Sequence, residues 1–362
     1  MNQPQIVFII NSIQQQRCIK RIEEFIENGY QVKAYGFSRS NVVPTQPNNF
    51  EIEIIGEFSN SLSYFKRLKL MYKALKPIFD KYKNENIVYY YFLLDVALVC
   101  RLLSNQIYIY EESDLMHTYL PTKLLRSLFN FIDRRIIKKS LFTVMTSEGF
   151  VQYHFGETPP ANVHIIPNRL NLKIESVHKK GKKNTNINSL RFAFVGGARF
   201  DSVFNFIKVL TQNFPEHEFH FYGGVALEFE KFRDFPNVYY HGKFSNPIDL
   251  PEIYSNIDIV IATYDIKFDN VRFAEPNKLY EAIYFETPII VSKDTYLAQK
   301  VKKLGVGFQV NALNDNEIVN LIQNLTNEQI EEKQKACMEI PKKMTLNKND
   351  DFFEKLKCKL KN

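Results

Sequence analysis

The residues best suited to chemistry fall in one short block, Glu275-Pro276-Asn277-Lys278-Leu279-Tyr280-Glu281-Ala282, which leads into the apolar run Pro288-Ile289-Ile290-Val291. Proline suits the first position of a helix, where φ is preset and no N–H is needed, so the block predicts a helix with Pro276 as its first residue. The N–H groups of a first helical turn carry partial positive charge and suit a phosphate. Lys278 adds a formal charge. Glu281 lies three residues beyond Lys278 and four beyond Asn277, so the three share one side of the helix. A helix end that holds phosphate, with a carboxylate one turn deeper able to accept from two sugar hydroxyls, fits a nucleotide sugar. The same residue types also make an ordinary solvated Lys–Glu pair, and the block alone does not choose between the two.

A second group follows a strand expected at 106–110: Glu111-Glu112-Ser113-Asp114-Leu115-Met116-His117. Acids and a histidine just past a parallel strand lie where such sheets place their sites. The alternative is an acidic helix start capped by Ser113. No Asp-x-Asp pair sits at a strand end, so no divalent metal is expected. Asp258, Asp265 and Asp269 read as structural or surface acids. The four cysteines, Cys18, Cys100, Cys337 and Cys358, are far apart, form no CxxC or Cys/His spacing, and read as reduced thiols.

These groups need a scaffold. The chain has 362 residues, 45% of them hydrophobic, enough for two domains of about 170 residues each. Strands are expected at 5–10, 31–35, 51–55, 87–91, 106–110, 142–145 and 163–166, with helices at 14–27, 62–82, 95–103, 122–139 and 148–153 between them. Several strands are apolar on both faces, as parallel strands between helix layers are. After a polar stretch at 175–189 the alternation resumes: strands at 191–195, 218–222, 238–241, 257–263, 288–291 and 307–310, and helices at 203–213, 250–255, 295–304 and 314–325 in addition to the opening block. The fold class is therefore α/β, two doubly wound Rossmann-like domains facing across a cleft, with the closing helix able to cross back to the N-terminal domain. The expected boundaries are 1–170, a linker at 171–189, 190–345, and a C-terminal amphipathic helix at 346–362.

With both halves laid out, the chain resembles the retaining glycosyltransferases of the GT-B fold, family-four type. Five segments carry the resemblance in order: Ile165-Ile166-Pro167-Asn168; Phe192-Ala193-Phe194-Val195-Gly196-Gly197; Phe219-His220-Phe221-Tyr222-Gly223-Gly224; Asn237 to Lys243 with Leu250 to Ile261; and the opening block. The resemblance implies that Glu281 holds the donor ribose, that Asn277, Lys278 and Leu279 meet the diphosphate, and that Gly196 and Gly197 let the backbone approach the donor phosphates. It places Lys243 and Phe244 near the base, and Asp114 toward the acceptor, with His117, Glu111 and Glu112 as weaker matches. Many members have an acid eight positions before the ribose glutamate; here Phe273 stands there, and Glu275, two positions on, is the available substitute as a catalytic-site acid. Many also have a lysine after the first C-domain strand; here Arg199 is the nearest cation, and a guanidinium can bind phosphate in bidentate fashion.

The implied substrates are a UDP- or GDP-linked sugar and a saccharide or lipid-linked acceptor, with no other cofactor, in the building of a surface polysaccharide. Two rivals stay open: a nucleotide-sugar epimerase of the same shape, and a non-catalytic homologue that binds a nucleotide sugar or a partner. The net charge of +7 favours anionic partners. The runs 61–83 and 123–139 are basic and interleaved with apolar and aromatic residues, which suits an anionic membrane surface as well as ordinary amphipathic helices packed on a sheet. Nucleic acid is not expected, since the basic residues do not gather on a recognised binding module. No run reaches the roughly 20 apolar residues of a membrane span, so the expected location is cytoplasmic, with peripheral membrane contact open.

Overall fold

The computed structural model describes residues 4–40, 49–59, 62–178, 181, 185–224 and 227–361. They form two compact units, Met1–Pro167 with Asn349–Asn362, and Asn168–Lys348.

The first unit alternates strand and helix: β1 (Gln5–Ile10), α1 (Gln16–Glu27), β2 (Val32–Arg39), β3 (Ile52–Phe58), α2 (Tyr64–Lys81), β4 (Ile87–Phe92), α3 (Leu93–Leu103), β5 (Tyr108–Glu112), α4 (Lys123–Lys139), β6 (Phe142–Met145), α5 (Glu148–Phe155) and β7 (Val163–Ile165). The seven strands are parallel, in the order β3-β2-β1-β4-β5-β6-β7. Helices on both faces explain the apolar runs; β4, Ile-Val-Tyr-Tyr-Tyr-Phe, is buried along its whole length. Winding reverses between β1 and β4, the position at which sheets of this kind bind ligands.

The second unit contains β8 (Arg191–Val195), α6 (Asp201–Asn213), β9 (Glu218–Tyr222), β10 (Val238–Gly242), α7 (Leu250–Ser255), β11 (Ile259–Ala262), α8 (Asp269–Phe273), α9 (Asn277–Tyr284), β12 (Ile289–Ser292), α10 (Tyr296–Leu304), β13 (Gly307–Val310), α11 (Asp315–Gln323) and α12 (Asn327–Glu339). Its six strands are parallel, in the order β10-β9-β8-β11-β12-β13, with the reversal between β8 and β11. One face packs on α7, α9 and α10 through Ala193, Val260, Leu279 and Val301; the other packs on α6 and α11 through Phe192, Phe194, Ile207 and Ile318. A buried ion pair ties the starts of β8 and β11: Asp258, within the stretch 257–263 expected as strand, accepts from the Arg191 backbone N–H and from its guanidinium at 2.8–2.9 Å.

Two features differ from expectation. The expected linker at 171–189 begins inside the second unit, because Leu170 pairs with Leu346 and Ile174 is buried in its core. Within that run, residues 179–180 and 182–184 lie outside the described residues, as does Ser61 of the first basic run. α12 is a helix that periodicity did not reveal, since only Ile330 and Cys337 of its residues are buried. Its start is set locally: Thr326 and Gln329 form a reciprocal capping box. Thr326→Ala is expected to cost about 1 kcal/mol, read as a lowered urea midpoint with unchanged slope.

A last helix, α13 (Asp350–Lys361), belongs to the first unit. Phe352, Phe353 and Leu356 enter the core beside Phe25, Tyr30 and Phe142. The Phe353 ring meets Phe25 edge to face at 5.0 Å, and Asn349 donates to Glu24 at 3.2 Å.

Candidate active site

In the second unit, two helices start at the reversal point, α6 after β8 and α9 in the connection after β11. Asp265 caps α6, accepting from the N–H groups of Asp201 (3.1 Å) and Ser202 (2.9 Å). That end is already neutralised by a carboxylate. No side chain caps α9. Pro276 is its N-cap, in extended conformation, one residue earlier than the helical position expected for it. Pyrrolidine φ serves both roles, so the offset is one residue of register. The Leu279 N–H is taken by Pro276 O at 3.2 Å and the Leu279 side chain is fully buried. Asn277 and Lys278 therefore present the first-turn amides.

Lys278 and Glu281 are not a solvated pair. Both are buried, at 8% and 3% exposure. The Lys278 ammonium lies 4.6 Å from the Phe194 ring centroid and 5.7 Å from that of Tyr264. A β-carbon at Gly196 would sit 3.0 Å from Lys278 Nζ. The glycine turn after β8 and the lysine of α9, far apart in sequence, thus meet in space. Glu281 accepts from Tyr254 Oη at 3.0 Å, from Asn277 Nδ2 at 2.6 Å and from Asn246 Nδ2 at 3.5 Å. Burial pushes its carboxyl up, opposed by Lys278, Tyr254 and the two amides. A buried acid with several donors around it is held in place to accept further hydrogen bonds.

The neighbouring turns complete the edge. Gly196 N–H donates to Tyr222 O and Gly223 N–H to Gly242 O, each at 2.7 Å, so the turns after β8, β9 and β10 form one row. Gly223 has φ +135°, and a β-carbon there would fall 2.1 Å from Gly196 O. Gly197 and Arg199 are exposed on the first turn, with the Arg199 guanidinium 5.3 Å from the Phe200 ring centroid. Lys243 is exposed after the third turn, and Phe244 packs on the core.

Glu275 is placed differently from its neighbours. It is buried, and its Oε1 accepts from Tyr280 Oη and from Lys300 Nζ, the latter at 2.6 Å. Its Oε2 is buried with no hydrogen-bond partner. One oxygen is therefore committed to α10 and the other is available.

In the first unit, the acids at the end of β5 separate into different roles. Strand β5 runs on to Glu112, so Glu111 and Glu112 lie within the strand and are buried rather than displayed past its end. Glu111 accepts from Arg21 Nε at 2.9 Å and from Tyr90 Oη. Glu112 meets His154 Nε2 at 2.9 Å. Ser113 caps no helix; its carbonyl accepts from Arg17 at 2.9 Å. Asp114 is the part of this group left at the edge, about a third exposed, with Arg17 Nη2 at 2.8 Å from its Oδ2. His117 does not face the edge beside it. Its ring is buried at 1% exposure, with Nε2 3.2 Å from Tyr153 Oη and Nδ1 3.3 Å from Asp133 Oδ2.

Helices α2 and α4 bury one face, including Met71, Leu75, Phe129 and Ile137. That packing accounts for their inner stripe. Their outer faces still expose Phe65, Leu70, Tyr72, Leu124, Leu128 and Phe131 among the basic residues. Among the described residues, no helix is long and apolar enough to cross a membrane.

Residues 193–355 match the family model described as Glucosyltransferase 3-like, C-terminal domain. Solved structures align over the whole chain. The sucrose-phosphate synthase of Thermosynechococcus elongatus has TM-score 0.67 at 14% identity, covering 98% of this chain and 97% of its own. HepE of Anabaena, in complex with UDP and glucose, has TM-score 0.65 at 12% identity, covering 98% and 100%. The chain has the GT-B fold, and its second unit is similar to a glucosyltransferase C-terminal domain. The lipopolysaccharide outer core galactosyltransferase WaaB also aligns, with TM-score 0.63 at 14% identity over 98% and 99% of the two chains. No curated protein matches the sequence closely enough to count as a relative. The partners around Glu281 (Tyr254, Asn246) and Asp114 (Arg17), and the Asp265 cap, could not be paired from sequence, because each reaches its partner across at least 27 residues of chain.

Proposed function

We propose that the enzyme moves a sugar from a nucleoside-diphosphate donor to a hydroxyl of a saccharide or lipid-linked acceptor, with retention, in the assembly of a surface polysaccharide. The observation that carries the donor side is the meeting of Gly196 with Lys278 at the uncapped start of α9, one turn from the buried Glu281. In this reading Glu281 accepts from the ribose hydroxyls, and Asn277, Lys278 and Leu279 belong to the turn that holds the diphosphate. Gly196 and Gly197 give the phosphates room, and Arg199 adds charge from the exposed side. Lys243 lies toward the base. The reading assigns the leaving diphosphate's charge to these groups rather than to a divalent ion. As the glycosidic bond lengthens, positive charge develops at the sugar, and the departing phosphate takes the acceptor's proton. Glu275 Oε2 is assigned to a donor-sugar hydroxyl, in place of the acid absent at Phe273. Asp114, held by Arg17, is assigned to the acceptor.

The UDP complexes of HepE make UDP sugars the first donors to try. The exposed apolar and basic faces of α2 and α4 favour an acceptor presented at an anionic membrane from the cytoplasmic side. The test is a panel of UDP and GDP sugars incubated with the protein, with and without free saccharides or lipid-linked acceptors in anionic vesicles, following free nucleotide. Acceptor-dependent release, highest with the vesicle-borne acceptors, is expected. Interconversion of the sugar without release would instead make the protein an epimerase, and binding without turnover would make it a non-catalytic homologue.

A further inference from the structure

We propose that Glu112, Asp133, His154 and His117 form a buried divalent-metal site, of the zinc type, that is structural rather than catalytic. The four side chains come from the end of β5, from α4, from α5 and from the turn between β5 and α4, and all are 0–2% exposed. One potential ligand atom from each of Glu112, Asp133 and His154 lies within 4.8 Å of the other two. His154 Nε2 and Glu112 Oε1 are 2.9 Å apart, and His117 Nδ1 and Asp133 Oδ2 are 3.3 Å apart. A tetrahedral ion with ligand bonds of about 2.0–2.2 Å sets neighbouring ligand atoms roughly 3.3 Å apart. His117 stands outside the cluster of three and joins it through Asp133.

The polar inventory points the same way. Glu112 Oε2 is buried with no hydrogen-bond partner, and Asp133 Oδ2 and His117 Nδ1 form no hydrogen bond but face each other at 3.3 Å. Native interiors leave few such atoms, and a single cation would satisfy all three. Two carboxyl groups buried side by side cannot both ionise without a cation or a shared proton between them, and two imidazoles with two carboxylates is a donor set that takes zinc. An outer layer is present: Tyr110 Oη donates to Asp133 Oδ1 at 2.9 Å, and Tyr153 Oη lies against His117 Nε2. Such partners fix ligand orientation in metal sites. All four positions are filled by protein, which leaves none for a substrate. The ion would tie the segment carrying Asp114 to α4 and α5. Spacing along the chain hides the set, because each ligand comes from a different element.

The full chain is titrated with Co2+ after chelator treatment, then with Zn2+, and Tm is followed by circular dichroism. One equivalent of cobalt with visible d–d absorption is expected, with Tm raised by several degrees on adding either ion. Glu112→Gln and His154→Gln are expected to abolish the absorption. A folded, chelator-treated wild-type chain that takes up no stoichiometric cobalt would overturn the proposal, whatever the variants do. So would a cobalt signal that survives Glu112→Gln and disappears in His241→Ala, since the ion would then sit on the His220–His241 pair of the second unit, whose ring nitrogens are 3.0 Å apart.

Discussion

Glu281→Ala is expected to weaken donor binding about 10- to 150-fold, the equivalent of losing about 1.5–3 kcal/mol of hydrogen bonding to a charged acceptor. The effect on folding should run the other way. Burial raises the Glu281 carboxyl above its unfolded value. A group with a raised folded pKa favours the folded state only at low pH, and that contribution is lost as pH rises through the folded value. At neutral pH the ionised Glu281 is therefore a cost to the apo protein. Glu281→Gln, which keeps the shape and an acceptor oxygen for Tyr254, is expected to be at least as stable as the parent while binding UDP or UDP-glucose weakly. Calorimetric titration gives the affinity and urea unfolding the stability. Unchanged affinity in a folded Glu281→Ala protein would remove Glu281 from the donor site. Loss of stability in Glu281→Gln would make it a structural acid.

Gly223→Ala is expected to destabilise the second unit by about 2–5 kcal/mol, combining the strain of a side chain at φ +135° with the displacement forced on a neighbouring backbone. The nearest obstacle is Gly196 O, 2.1 Å from the added carbon, and a carbonyl cannot rotate aside as a side chain can. The turn that must move is the one beside Lys278, so donor affinity should fall together with stability. Gly224→Ala, one residue on and with nothing within 4 Å of its added carbon, is the control. It is expected to stay within about 0.5 kcal/mol of the parent. Equal urea midpoints for the two variants would show that the three glycine turns are not a rigid row.

Much of this arrangement was legible from residue order because parallel strands buried on both faces leave short, uninterrupted apolar runs. Arg191–Val195, Glu218–Tyr222 and Gly307–Val310 are strands with the expected limits. The opening block was readable for a related reason: helix start, lysine and glutamate are local, and their spacing sets their common side. What could not be read depends on partners distant in sequence. Glu111 and Glu112 look like loop acids until the strand buries them, with Arg21 and Tyr90 on Glu111 and His154 on one oxygen of Glu112. His117 looks like an edge residue until Asp133 and Tyr153 enclose it. α12 is mostly polar and rests on a few contacts, so no apolar stripe announced it. Glu275 showed its charge in the sequence, but not that Lys300 holds one of its oxygens.

The placement of α13 sets an order of assembly. Phe352, Phe353 and Leu356 fill the space beside Phe25 and Phe142, yet they are synthesised after all of residues 168–348. At about 5–20 residues per second, the ribosome needs roughly 10–35 s to make that intervening unit. Throughout this interval the first unit, begun earliest, lacks the rings that pack beside Phe25 and Phe142. The unit at the beginning of the chain is thus the last to be sealed. A chain cut before Phe352 leaves the apolar faces of Phe25 and Phe142 without the rings that pack on them.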